Sequence, residues 1–433
     1  MSHWDAVSTA DRKRIARWQI VIAIVAIMGK LCLAGDWYGF AATIGFVSKD
    51  LGMSAGEAGL AQGAIAITYG FGMFFWSPII RRFSGRASFS IGLAVTGVAM
   101  LAQTFIHSMT ALVALRLLIG FFEAGVWVGS IKLVFGWFPK TRRSAIMGVI
   151  LAAYSLAITL DFAVGIPLSA AYGWRVFFAG LGIFTIGTAI LGATIARPGP
   201  AGLGLPGFSW EDEPAELSPA RPKAKLTTIF KTKWLYIGGF GIFGDTFALA
   251  ATATWVVPAF VAAQHMPVES GAWIGTLMGL SQVVFLLIGG YLSDRVSRTH
   301  IIQIGAALGS LSALLFLFAT IWEMPFAMLL AITGLSGVAV FSGGAIFGLL
   351  GEKYPDELAP AATGYAEVFG MASTFTAPAA MGIAVDITHT FFAAFLVFAV
   401  TEFAILGLLL ILCRESFGKR TTPLPSAAPA ISA

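Results

Sequence analysis

The sequence predicts an all-α membrane protein whose twelve transmembrane helices form two pseudo-symmetric six-helix halves. Three observations carry that reading. First, 58% of the 433 residues are hydrophobic and 11% are charged, whereas a soluble domain carries about 25% charged residues. That much apolar surface cannot be hidden from water, so lipid is the solvent. Second, apolar runs of about 20 residues recur, each long enough to cross a bilayer once. They lack the alternation of strands, and in lipid the backbone must be satisfied within helices or a closed barrel. Third, loop motifs of the first half return in the second at a nearly constant offset.

Residues 1–17 are a polar N-terminal segment with Arg12, Lys13, Arg14 and Arg17 at its end. Six spans follow at 18–45, 57–80, 87–107, 110–138, 144–172 and 174–196, giving a first half of 18–196. No small-residue cleavage site follows the first span, which therefore reads as retained. Residues 197–233 are rich in Pro, Gly and acids, among them Glu211, Asp212, Glu213 and Glu216, and read as a linker. Six more spans at 234–262, 268–293, 301–321, 325–351, 359–385 and 390–413 make a second half of 234–413. The tail, 414–433, carries Pro423, Pro425 and Pro429.

Charge placement orients the chain. Of 27 Lys and Arg, 22 fall on the side of the termini and linker, two (Lys49 and Arg175) on the other, and three (Lys30, Arg116 and Lys132) inside spans. The expectation is a multi-pass protein of the cell's inner (plasma) membrane with both termini and the linker cytoplasmic. The net charge of +5 does not point to nucleic acid, because the basic residues sit in short loops rather than on one face. Cys32 and Cys413 both lie in apolar runs and imply neither a disulfide framework nor a metal cluster. No phosphate-binding Gly-Lys-Ser/Thr loop is present, so ATP is not the energy source. No catalytic triad or nucleotide fold appears, and the chain reads as no enzyme.

The halves repeat. SPIIRRFSGR (77–86) follows the second span and GYLSDRVSR (290–298) the eighth, with Arg82 and Arg295 separated by 213 residues. FPKTRRSAIMG follows the fourth span and YPDELAPAATG the tenth, so that Phe138/Tyr354, Pro139/Pro355, Ala145/Ala361 and Gly148/Gly364 correspond at an offset of 216. Two such halves joined by a linker are a transporter architecture. With GYLSDRVSR in place, the sequence resembles the major facilitator superfamily from about residue 18 to 413. That resemblance implies a gating role for Asp294, Arg295 and Arg82. The first copy departs from the signature, with Arg81 where the Asp is usual and Ser77 where the Gly is.

RLLIGFFEAGVWVG followed by WFPKTRR is similar, more narrowly, to the fourth helix of the anion:cation symporter family. Arg116, Glu123, Ala124, Gly125, Trp137, Phe138 and Pro139 match. Val128 replaces that family's Pro, and Trp37 replaces the Arg of its Asp-Arg pair, whose Asp is Asp36. In the resembled superfamily the first, fourth and seventh helices line a central cavity.

Ionisable groups at membrane depth are costly and mark function. A rise of about 1.5 Å per residue puts Asp36 and Arg116 at one depth and Lys30 and Glu123 at another, so two cross-helix ion pairs are expected: Asp36 with Arg116, and Lys30 with Glu123. Arg116 and Glu123, seven apart, share a helix face. Such pairs either lock helices together or form an anion and proton site, because desolvation pushes a carboxylate towards neutrality and a cation pulls it towards charge. On the second alternative Arg116, Lys30 and Tyr38 bind substrate, with Asp245, Gln282 and Lys132 as further candidates, and Glu123 and Asp36 couple the proton. Lys132 falls on the opposite face from Glu123 and reaches the cavity only if the helix bends at Gly125 or Gly129. Asp161, ahead of Gly165 and Pro167, reads as an outer gate or cap. Trp37, Tyr69, Tyr154 and Trp255 read as packing or interfacial anchors. Glu402 has no assigned role.

Three cations within spans of the first half, against two neighbouring acids, favour an anionic substrate. The expected function is import of a small organic anion (a carboxylate) by proton-coupled alternating access, as a monomer, with a proton gradient and no cofactor. Proton-antiport efflux of hydrophobic compounds and organic anion exchange are the alternatives. A membrane sensor is disfavoured, because the linker is too short for a cytoplasmic domain.

Overall fold

The structure, a computed structural model, describes residues 8–80, 83–203, 226–293, 295–354 and 358–414. Among the described residues, twelve helical spans are long and apolar enough to cross a membrane and no strand occurs. In the first half α1 is Thr9–Leu51, α2 Ala55–Ile79, α3 Gly85–Gln103, α4 Met109–Trp137, α5 Lys140–Tyr172 and α6 Trp174–Ile195. A 3-10 turn, Pro200–Leu203, and a short α7, Thr227–Phe230, flank the linker residues 204–225, which lie outside the described residues. In the second half α8 is Lys233–Ala263, α9 Ser270–Ser293, α10 Arg298–Ala319, α11 Phe326–Gly334, α12 Gly343–Lys353, α13 Ala359–Thr388 and α14 Phe391–Leu412. The chain divides into two compact units, one of Met1–Arg221 with Val268–Gly279, the other of Pro222–Pro267 with Leu280–Ala433.

Two expectations need correction. Disorder is expected over the first eleven residues, but the helix begins at Thr9, because Ser8 caps it by accepting the Asp11 N–H and Ile15 is fully buried. The tenth span, 325–351, is not one helix. It runs as α11, a 3-10 turn at Leu335–Val340, and α12. Gly334, Gly337, Gly343 and Gly344, with Ser336 and Ser342, are weak helix formers, and bilayer length alone does not expose the break.

In the first unit α2 and α3 pack on α4, and α1 on α5. Small residues allow close approach in lipid. Gly120 of α4 backs directly onto the Ile65 carbonyl of α2. The end of α4 is clasped: Trp137 stacks on Trp18 at 5.9 Å and donates to the Arg197 carbonyl at 2.6 Å, while Gln19 donates to its carbonyl at 2.8 Å. At the opposite end of α1, Arg175 binds Asp50 at 2.6 Å and donates to the carbonyls of Thr104 and Ile106.

In the second unit α8 packs along α13 and α10 along α14. Trp255 donates to the Pro378 carbonyl at 3.1 Å. The sequence repeat has a backbone counterpart. Phe138 ends α4 with φ −121° and ψ 137°, and Tyr354 ends α12 with φ −116° and ψ 145°, each donating its N–H to the carbonyl four residues back.

Candidate functional site

The site is built within the first unit from α1, α2, α4 and α5. α4 presents Arg116, Gly120 and Glu123 on one face, since seven residues bring a helix round to within about 20°. The glycine between them draws α4 against α2. That approach lets the buried Arg116 donate from Nε to the Ala61 carbonyl at 2.6 Å. Its Nη2 donates to the Gln62 carbonyl at 3.3 Å and to Gln62 Oε1 at 3.2 Å. The guanidinium lies 4.2 Å over the Phe40 ring, and its Nη1 has no acceptor. Gln62 turns its amide to α1, donating to the Trp37 carbonyl at 3.0 Å.

α1 contributes Lys30, Asp36, Trp37 and Tyr38. Trp37 donates its indole N–H to Oε2 of Glu123, and its ring meets Tyr69 edge-on at 5.5 Å. The carboxyl of Asp36 lies against that of Glu123. Both groups are fully buried, and neither oxygen of Asp36 nor Oε1 of Glu123 receives a donor. Arg116 acts on both electrostatically. Asp161 of α5, 3% exposed, adds a third buried carboxyl that feels Asp36, with Oδ2 unpartnered. On the neighbouring side Tyr154 donates to the Tyr38 hydroxyl at 2.9 Å. The Lys30 ammonium lies 4.2 Å over the Trp127 ring and 4.7 Å over that of Tyr154.

The structure changes the expected pairing. Asp36 and Arg116 form no hydrogen-bonded ion pair, because the backbone of α2 takes two of the guanidinium nitrogens and leaves Nη1 without a partner. Lys30 was expected on Glu123. It rests over two aromatic rings, and Glu123 takes Trp37 and Asp36 as neighbours. Lys132 does not join the cluster. It is exposed and binds the carbonyls of Ile80 and Phe83, closing the end of α2 as its position on the opposite face allows. Asp161, read as an outer gate or cap, belongs to the buried acid group.

The remaining candidates fall elsewhere. Asp245 lines a small cavity in the second unit. Gln282, fully buried there, has neither amide atom partnered. Arg295 lies 4.0 Å over the Tyr291 ring, while Asp294 and Arg82 lie outside the described residues.

Two participants were not assigned to the site from the sequence. Gln62 is neutral and gave no signal of membrane cost. Trp37 gave one: it stands where the resembled family has the Arg of its Asp-Arg pair, and it supplies an N–H to the same acid neighbourhood.

A buried group of three carboxyls, a guanidinium with one open nitrogen and an ammonium can exchange protons and bind an anion. Buried polar atoms without partners are uncommon, and here both donors and acceptors are open. The sequence profile of the Major Facilitator Superfamily matches residues 26–260 and 238–433. The chain belongs to that superfamily and is a multi-pass membrane transport protein, not an enzyme.

Its relatives include the hexuronate transporter of Bacillus subtilis, 24% identical over 81% of this chain and 84% of that one. A probable galactarate/D-glucarate transporter of Escherichia coli is 22% identical over 89% of this chain and 91% of that one. Among solved structures, a bacterial homologue of the lysosomal transporter Spinster in an inward-facing conformation shares the fold, with a TM-score of 0.70 at 13% identity over 95% of this chain and 97% of that one. A nucleoside transporter shares it with a TM-score of 0.71 at 12% identity, over 91% of this chain and 99% of that one.

Proposed function

We propose that this protein imports a small organic anion, a carboxylate of the sugar-acid kind, together with protons by alternating access. The observation that carries the reading is the contact between the carboxyls of Asp36 and Glu123 beside an Arg116 whose Nη1 is open. Two carboxyls in contact out of water hold one proton between them more favourably than two charges. A substrate carboxylate reaching Nη1 of Arg116, with the ammonium of Lys30 as a second contact, engages the guanidinium that otherwise faces the acids. The acid pair then takes up a proton, and substrate and proton move together. The names of the two relatives, which specify carboxylated sugars, support the substrate class. We place the monomer in the cell's inner membrane with both termini cytoplasmic, on the charge bias of its loops.

The test is uptake into proteoliposomes. Glu123→Gln mimics the protonated acid, so it should keep substrate counterflow and lose accumulation driven by a pH gradient. Gradient-driven accumulation that survives in both Glu123→Gln and Asp36→Asn removes the proton from this pair. Wild-type uptake indifferent to the gradient makes the protein an anion exchanger.

A further inference from the structure

The second unit contains a buried acidic site that the transport reading does not use. Asp245 of α8 and Glu402 of α14 face a cavity of about 10 Å³, the space one water-sized occupant needs. Glu402 is 2% exposed and Ser342 1%. Oδ2 of Asp245 and Oε1 of Glu402 are buried without a hydrogen-bond partner. Ser342 stands beside Asp245, while Asp245 and Glu402 act on each other electrostatically across the cavity. No Lys, Arg or His is among the described residues of the lining.

Glycines keep the cavity open. A methyl group at Gly309 would lie 2.8 Å from Oε2 of Glu402, and one at Gly305 would collide with Oγ of Ser342. The site also sits at the break between α11 and α12, whose 3-10 turn contributes Val338 and Ala339 to the lining. Unwound backbone at membrane depth is tolerated where it lines a cavity, and in transporters such breaks hold coupling ions.

This arrangement differs from the acid pair of the first unit. There, carboxyl meets carboxyl, and a single proton can bridge them. Here both carboxyls line a cavity with a hydroxyl beside it. Unpaired charge on buried oxygens is costly, and carboxylate and hydroxyl oxygens suit hard cations. We propose that Asp245, Glu402 and Ser342 bind a dehydrated alkali cation of sodium's size. The site is separate from the proposed anion and proton residues, and the inference holds whatever the substrate.

A ligand that binds only the folded state raises its stability with concentration. The full-length protein in detergent is therefore melted while sodium chloride replaces choline chloride at constant ionic strength. The expected result is a saturable rise in the unfolding midpoint with sodium. Glu402→Gln and Asp245→Asn should lose it while still unfolding cooperatively. Gly309→Ala keeps both carboxyls and fills the space, so it should lose the rise as well, which guards against a misfolded acid variant. Equal midpoints in sodium and choline overturn the proposal. So does a sodium-dependent rise that persists in Glu402→Gln, or a rise produced by acid and not by sodium.

Discussion

The indole N–H of Trp37 is bonded to a carboxylate oxygen of Glu123, although the two residues are 86 positions apart. That bond ties α1 to α4 at the point where the carboxyls of Asp36 and Glu123 meet. Trp37→Phe keeps the ring and removes the donor. A buried acceptor left without its partner costs about 1–3 kcal/mol, so the variant should unfold at lower temperature and accumulate less substrate under a pH gradient. Wild-type stability together with wild-type accumulation would reduce the indole to a space-filling ring.

Arg116 is held by three hydrogen bonds to Ala61 and Gln62, with Nη1 left over. Lysine can supply a charge but not a fork. Arg116→Lys cannot hold α2 and meet a substrate carboxylate at once, and its KM should rise about tenfold or more, equivalent to about 1.4 kcal/mol. Unchanged KM in proteoliposome uptake would confine this residue to packing. Arg116→Ala is less informative, because it also removes the clasp on α2.

Lys30 is 8% exposed and sits over two aromatic faces, contacts worth about 2 kcal/mol or more when desolvated. Lys30→Met removes the cation and keeps the volume of the stem. Anion affinity should fall, with a smaller drop in the unfolding midpoint from the lost ring contacts, and Lys30→Arg should restore part of both. A drop in stability with intact affinity would show that the ammonium braces Trp127 and Tyr154 instead.

The depth of Asp36, Arg116, Lys30 and Glu123 could be read from residue counts, because a helix rises evenly and ionisable side chains stand out in an apolar run. Their partners could not. Which groups meet depends on how closely α4 approaches α2, and that is decided by Gly120 on Ile65. The expected Asp36–Arg116 pair gives way because backbone carbonyls of α2 reach the guanidinium first. Glu402 has no role legible in the sequence, yet its carboxyl lines the same cavity as Asp245. The break at Leu335–Val340 escaped for a different reason: its span keeps a mean hydropathy of 1.9, and hydropathy measures solvent preference, not helical continuity.

The orientation proposed from the loop charges is open to direct test. Reporter fusions at Ser209 should be active on the cytoplasmic side and those at His265 on the outer side. The reverse pattern would invert the topology, and the direction assigned to transport would need to be established again.

Gly120 offers a test of whether packing and binding are one property. A methyl there would fall on the Ile65 carbonyl and 2.6 Å from Oγ1 of Thr68. Backbone cannot yield as a flexible side chain can, so α4 must move away from α2, an overpacking that costs about 1–3 kcal/mol. Arg116 lies one turn before Gly120, and its Nε reaches the Ala61 carbonyl at only 2.6 Å. Moving α4 stretches that bond and shifts the open Nη1, although the glycine itself touches no substrate. Gly120→Ala should therefore lower the unfolding midpoint and raise the KM for the anion together. Gly148→Ala is the control. That position on α5 is exposed, and a methyl there meets nothing within 4 Å, so it should be neutral or add up to about 1 kcal/mol through helix propensity. A Gly120→Ala protein with the midpoint and KM of the wild type would mean that α2 and α4 have slack, and that Arg116 is positioned by some other contact.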